Sequence, residues 1–186
     1  MKITAISHAF EIYSASTPVI RIQGLGGYLW KRNVAKGGRI GPWLQAKYEV
    51  LNQTVWEART PCLYLVIGSD KLIRYVGISR NRLKDRWRTS PAYDANTMTR
   101  LAENQLFHSQ CWKHIERETD ENPNAFFEVR CINATVLLPV LERLGPPLSA
   151  FTALRGDGEG IVAGVERWLC NNKSQSLVSW NVAMTT

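Results

Sequence analysis

Residues 62–78 read CLYLVIGSDKLIRYVGI, two runs of β-branched, aliphatic and tyrosine residues on either side of Gly68-Ser69-Asp70-Lys71. Such residues fit a pleated surface, and a Gly-Ser-Asp cluster between them is a turn signal, so the stretch predicts a β-hairpin. With the turn centred on Ser69 and Asp70, Tyr64 faces Tyr75 and Cys62 faces Gly77. Side chains alternate across a sheet. Tyr64, Val66, Ile73, Tyr75 and Gly77 therefore share one face, and Leu63, Leu65, Ile67, Leu72, Val76 and Ile78 share the other, which is apolar and faces the core. The tyrosine face either looks into a cleft or forms a cross-strand aromatic pair that stabilises the sheet.

Downstream, Ser79, Arg80 and Asn81 are cap candidates for a short helix over 81–89. That segment carries Arg80, Arg82, Lys84, Arg86 and Arg88. Arg86 lies three residues after Leu83, near the inward edge of such a helix. A charge run of this kind is either a solvated face or a phosphate clamp, since an arginine fork matches two phosphate oxygens. Residues 97–117 follow a helical period through Met98, Leu101, Gln105, Trp112 and Ile115. Residues 125–134, AFFEVRCINA, predict a third strand, and Val136–Leu144 a helix interrupted or capped around Pro139. A last amphipathic helix is expected over 160–171. In it Glu166 lies four residues after Val162 and three and four before Leu169 and Cys170, which puts it on the inward face. A buried carboxylate is costly unless it is paired or holds a cation, so Glu166 either bridges to an arginine or ligates a metal.

Upstream, residues 1–60 read as a basic N-terminal extension. VIRIQGLGGYLWKRN, residues 19–33, predicts a short hairpin around Gly24, Gly26 and Gly27. KGGRIGP, residues 36–42, predicts a loop, and Trp43, Lys47, Val50, Leu51 and Val55 recur at helical spacing over 43–57. Trp30, Lys31, Arg32, Lys36 and Arg39 interleave aromatic and basic residues, a pattern that suits contact with a DNA backbone as well as an ordinary surface loop. The expected fold is α/β (α+β): a small three-stranded antiparallel sheet flanked by helices over 61–186, with an N-terminal β/α extension over 1–60.

Composition sets the outer bounds. A chain of 186 residues with 45% apolar and 21% charged residues holds a packed core. No run of about 18 apolar residues exists to span a membrane. The start, MKITAISHAFEIYS, has Glu11 within its weak apolar run and reads poorly as a signal peptide. Cys62, Cys111, Cys131 and Cys170 are widely spaced without a CxxC pair, which disfavours a disulfide framework or zinc ribbon and makes a cytoplasmic setting the expectation. His108, Cys111 and His114 span too broad a helical arc for a zinc site, and no fourth ligand is evident. The net charge of +7 is uneven: residues 1–60 hold 8 basic against 3 acidic side chains, 61–89 hold 7 against 2, and 90–186 hold 8 against 11. A basic front half suggests a polyanion gripped from one side.

These residues together resemble the GIY-YIG nuclease family. That family is named for two strand motifs, matched here by Cys62-Leu63-Tyr64, with Cys62 in place of the first glycine, and by Tyr75-Val76-Gly77, ten residues lying between the tyrosines. It has an arginine on the following helix, matched by Arg86, a glutamate on a later helix, matched by Glu166, and a closing asparagine, best matched by Asn181. The resemblance covers roughly 61–182 and leaves the front extension unassigned.

The resemblance implies a divalent-metal-dependent endonuclease acting on DNA, of a restriction or defence kind. Tyr64 is then the general base and Tyr75 positions the nucleophile or phosphate. Arg86 neutralises the scissile phosphate, Glu166 binds a single Mg²⁺, and Gly77 allows close backbone approach, with Asn181 in support. Lys31, Arg32, Lys36, Arg39, Arg80, Arg82 and Lys84 are the expected DNA contacts. Cleavage of both strands at a symmetric site implies a homodimer or a DNA-linked pair. The rivals are a nucleic-acid-binding module that keeps the fold without the chemistry, and a structural protein whose tyrosines only pack a sheet.

Overall fold

The computed structural model describes residues 2–33, 39–88 and 111–181. Within these, the side chains of 2–4, 28, 30–33 and 39–42 are not described. Strands β1 (Thr17–Asn33), β2 (Arg39–Val50), β3 (Cys62–Gly68), β4 (Ile73–Ser79) and β5 (Phe127–Asn133) form one open antiparallel sheet in the order β2-β1-β5-β3-β4. Helices α1 (Lys2–Ala15), α5 (Ala134–Leu144) and α6 (Gly158–Asn171), with a 3₁₀ segment (Leu148–Leu154), cover one face. Helices α2 (Gln53–Glu57), α3 (Leu83–Arg86) and α4 (Cys111–Glu121) cover the other. All four cysteines are free and buried. No described helix is long and apolar enough to cross a membrane.

The sheet has five strands where three were expected, because β1 pairs with β5 from Thr17 opposite Cys131 to Ile22 opposite Phe127. Residues 1–60 also supply Ala5, Ala9 and Ile12 to one core and Ile20, Ile22 and Trp56 to the other. The glycines at 24, 26 and 27 do not make a hairpin turn. They sit within one continuous strand at register shifts, between Ile22 and Gly24 and between Leu25 and Tyr28. Gly24 and Gly27 have φ of 152° and 81°, and such bulges bend and twist a strand. Residues 39–50 are a strand, not part of a helix over 43–57; pairing with β1 overrides their helical spacing, and only Gln53–Glu57 is helical, capped by Asn52. The loop expected over 36–42 is strand from Arg39 onward, and Lys36 lies outside the described residues.

The hairpin of β3 and β4 forms, with a register two residues from the expected one. The loop is Ser69–Lys71, not two residues: Gly68 N–H donates to Leu72 O at 3.0 Å, and Lys71 takes φ of 67°. A three-residue loop ending in a left-handed residue is a standard hairpin solution. A bulge at Arg74 adds the second residue, since Ile67 faces Ile73 while Val66 faces Tyr75. Two single shifts restore the alternation beyond the bulge, so Tyr64, Val66, Tyr75 and Gly77 do share a face. Ile73 moves to the opposite core, and Leu72 is exposed.

The tyrosine face is not open, as a cleft would require. Every residue of β3 is buried, because β3 lies between β5 and β4 with helices on both sides. The outer edge of β4 is covered as well: Val178 N–H donates to Ile73 O at 2.7 Å and Trp180 N–H to Arg74 O at 2.9 Å. Covering an edge in this way removes a template for aggregation. The segment expected to be a helix over 81–89 is helical only over Leu83–Arg86, without a side-chain cap, and Ser79 Oγ instead donates to Asn81 O. The helix expected over 97–117 is described from Cys111 and runs on to Glu121; Met98 through His108 lie outside the described residues. Helix α5 runs through Pro139, and Asn133 caps it at Val136 N–H.

Candidate active site

Tyr64, at the centre of β3, is fully buried. Its register partner is Gly77, and a Cβ there would stand 2.6 Å from both Cζ and Oη of Tyr64 and 2.7 Å from Cε1 of Tyr75. The phenol therefore lies directly over the glycine. Tyr75, on the diagonal, stacks on Tyr64 with centroids 6.0 Å apart and planes at 27°. Trp87 closes the other side edge-on, at 5.9 Å and 74°. Two rings and one missing side chain hold the Tyr64 hydroxyl in place.

Arg86 comes off the end of α3, held by buried Leu83 and Trp87 on either side. Its Nε donates to Tyr64 Oη at 3.2 Å. Burial opposes the Arg86 charge, but the two tyrosines outweigh it and hold the guanidinium more firmly protonated. Burial, then the neighbouring Tyr64 and Cys111, push the Tyr75 phenol well above its ordinary range, so it stays a neutral O–H. Glu166 projects from the face of α6 that packs on the sheet, between buried Val162, Val165, Leu169 and Cys170. Burial pushes its carboxyl above the usual carboxylate range, against the pull of the Arg86 charge, the Ile78 backbone N–H and Arg80. Glu166 in turn bears on the Tyr75 phenol. Tyr64, Tyr75, Arg86 and Glu166 thus act on one another across four elements, β3, β4, α3 and α6.

The arginine run divides into two kinds. Arg80 pairs with Glu159, Arg82 with Asp85 at 2.8 Å, and Lys84 with Glu57 at 3.0 Å, all at or near the surface. Such exposed pairs are worth little and exchange readily for another anion. Arg86 makes no carboxylate pair among the described residues, and neither does Glu166 with a base. Arg74, a neighbouring cation in sequence, is committed elsewhere, to Asp70 at 2.8 Å and Glu118 at 3.2 Å. Lys31, Arg32 and Arg39 lie on β1 and β2, their side chains not described, and Lys36 lies outside the described residues.

Asn181 bonds to Val76 and Lys173 and not to the tyrosines. Its Oδ1 accepts from Val76 N–H at 2.9 Å and its Nδ2 donates to Val76 O at 2.8 Å. It clamps the backbone between Tyr75 and Gly77 and so fixes both. Asn181→Ala leaves that N–H and C=O buried and unpaired, and is expected to cost about 2–4 kcal/mol in urea unfolding.

Sequence reasoning missed Trp87 as a wall of the site, Cys111 beside Tyr75 and the Ile78 N–H at Glu166. Only Trp87 left a signal, as the apolar residue four after Leu83. His114 stacks on Trp180 at 5.2 Å, and burial, with Arg117 and Lys113, pushes its pKa down to about 4, so it is neutral near pH 7. Asp157 caps α6 at Gly160 N–H, 2.9 Å, and Glu159 pairs with Arg80. Among the described residues no three His, Cys, Asp or Glu side chains form a metal-holding group. Glu166 offers a single hard oxygen donor that burial makes costly, which fits a cation retaining most of its own water, as Mg²⁺ does. No family model, curated protein or solved structure matches the chain.

Proposed function

We propose that this chain is a divalent-metal-dependent endonuclease of the GIY-YIG kind that hydrolyses DNA phosphodiester bonds. The observation that carries the reading is a guanidinium, Arg86, bonded to a phenol and to no carboxylate among the described residues, with a half-buried acid, Glu166, within its field. A cation and an acid near enough to act on each other normally pair. Held apart, they suit a phosphate and a second cation between them.

Phosphodiester hydrolysis needs an activated water, compensation for growing negative charge and help for the leaving oxygen. Arg86 donates to the Tyr64 oxygen and so stabilises negative charge there, which equips Tyr64 to take a proton from water. The same guanidinium has further N–H groups for a phosphate oxygen. Tyr75 remains protonated and donates to the nucleophile or phosphate. Glu166 would hold Mg²⁺, whose chemistry is charge neutralisation at the phosphate and a lower pKa for bound water. Arg80, Arg82 and Lys84 would exchange their carboxylate partners for phosphates of the DNA backbone.

A binding module that retains the fold without the chemistry is favoured by one observation: Tyr64 is fully buried, so a water reaches its hydroxyl only after local opening. Incubation of the intact chain with plasmid DNA separates the two. The nuclease reading predicts nicked and linear products with Mg²⁺ and none with EDTA. Binding without cleavage of duplex, single-stranded or branched DNA would leave the module.

A further inference from the structure

Strand β1 belongs to the sheet only at its start. Its pairing with β5 ends at Ile22 opposite Phe127, while its pairing with β2 continues from Gly24 opposite Lys47 to Asn33 opposite Arg39. Beyond Ile22, β1 and β2 form a two-stranded antiparallel ribbon with no third strand among the described residues. Ten residues of β1 at about 3.3 Å each give it a length of roughly 30 Å. Its base is anchored, since Leu25, Leu44 and Ala46 pack on the core. Lys47, opposite Gly24 at the base, is exposed; further out Gly26, Gly27 and Gln45 are exposed and Leu29 is 52% exposed, while Trp43 opposite Leu29 is buried.

The charge on this ribbon is of one sign. Between Glu11 and Glu49 the sequence has no acidic residue, and the ribbon strands carry Lys31, Arg32, Arg39 and Lys47. A two-stranded ribbon is only marginally stable alone in water, so one that carries a single sign of charge is suited to a polyanion partner. Its shape selects which one. Two strands about 4.8 Å apart, with side chains, fill a groove of about 12 Å, the width of the major groove of B-DNA. The DNA minor groove, about 6 Å wide, is too narrow. The major groove of an RNA duplex is deep and narrow and closed to such an element.

We propose that the β1–β2 ribbon docks in the major groove of duplex DNA and makes that duplex, not RNA, the partner of this chain. The proposal rests on the reading of the chain as a DNA-acting protein, but it concerns binding and is tested without cleavage. Affinity for a 24-base-pair DNA duplex and an RNA duplex of the same sequence, about two helical turns each, is measured by fluorescence anisotropy in EDTA between about 50 and 200 mM salt. The variants are Lys31→Ala/Arg32→Ala/Arg39→Ala and, separately, the single exposed Lys47→Ala. DNA is expected to bind at least about tenfold more tightly than RNA. The slope of log affinity against log salt is expected to fall by about 3 in the triple variant and about 1 in Lys47→Ala. Methylation of guanine N7, which lies in the major groove, is expected to interfere with binding. Equal affinity for the two duplexes, slopes unchanged in both variants, or indifference to N7 methylation would each overturn the proposal. If those results come with Mg²⁺-dependent cleavage by the intact chain, only the ribbon is wrong. If the ribbon results hold and no cleavage occurs, only the nuclease reading fails.

Discussion

Glu166→Gln is expected to abolish cleavage, by about 10³-fold or more, and at the same time to raise the melting temperature near pH 7. Most substitutions of a half-buried group destabilise, so the pairing of effects is diagnostic. Burial holds the folded-state pKa of this carboxyl above its unfolded value. Well below about pH 4 the group is neutral in both states and costs nothing. As pH rises through the unfolded value, the unfolded chain sheds the proton first, and stability falls until the folded pKa is passed. Glutamine removes that cost while keeping the shape. The variant should therefore melt higher than the native chain near pH 7 and at the same temperature as it at low pH. Mg²⁺ should raise the melting point of the native chain and leave the variant unmoved. Calorimetry at two pH values, with and without Mg²⁺, checks all of this, and duplex affinity in EDTA should stay within about threefold if the acid serves chemistry rather than binding.

Gly77→Ala carries the second large effect. A methyl group at this position meets the Tyr64 Cζ and Oη at 2.6 Å, closer than any real contact. The ring has little room to move aside, because Tyr75 stacks on it and Trp87 stands edge-on against it. The strand or the ring must shift, at about 1–3 kcal/mol of stability. A displacement of about 1 Å would carry Tyr64 Oη off Arg86 and is worth about 10²-fold in rate. Gly68→Ala in the same hairpin is the control. Its Cβ meets Asp70 Oδ1 at 2.7 Å and the Arg74 guanidinium at 3.2 Å, the ends of side chains that can swing away. Single-turnover cleavage and urea unfolding should separate the two glycines, with only Gly77→Ala slow.

The site was more legible in the sequence than the fold around it. Tyr64, Tyr75 and Gly77 share a face because alternation survives a register error of two residues, so the residues came out together although their cross-strand partners did not. The inward face of Glu166 followed from apolar neighbours three and four residues away, a relation internal to one helix. What failed depended on distant partners. A lysine in left-handed conformation at Lys71 and a bulge at Arg74 have no compositional signal. The run from Trp43 to Val50 has helical spacing, and only pairing with β1 makes it a strand. The glycines at 24 and 27 signal an unusual backbone, but not whether it is a turn or a bulge. Helix α1, which packs through Ala5, Ala9 and Ile12, was passed over because alanines make a faint apolar stripe.

The central claim is that Arg86 and Glu166 serve one phosphate. A double-mutant cycle on Mg²⁺-dependent single-turnover cleavage, with Arg86→Gln, Glu166→Gln and the two combined, tests it most directly. Groups that act as a unit are strongly non-additive, so each single change should cost about 10³-fold and the pair no more than about tenfold beyond either. Losses that multiply to about 10⁶, as for independent sites, or a native chain that cleaves no DNA, would contradict it.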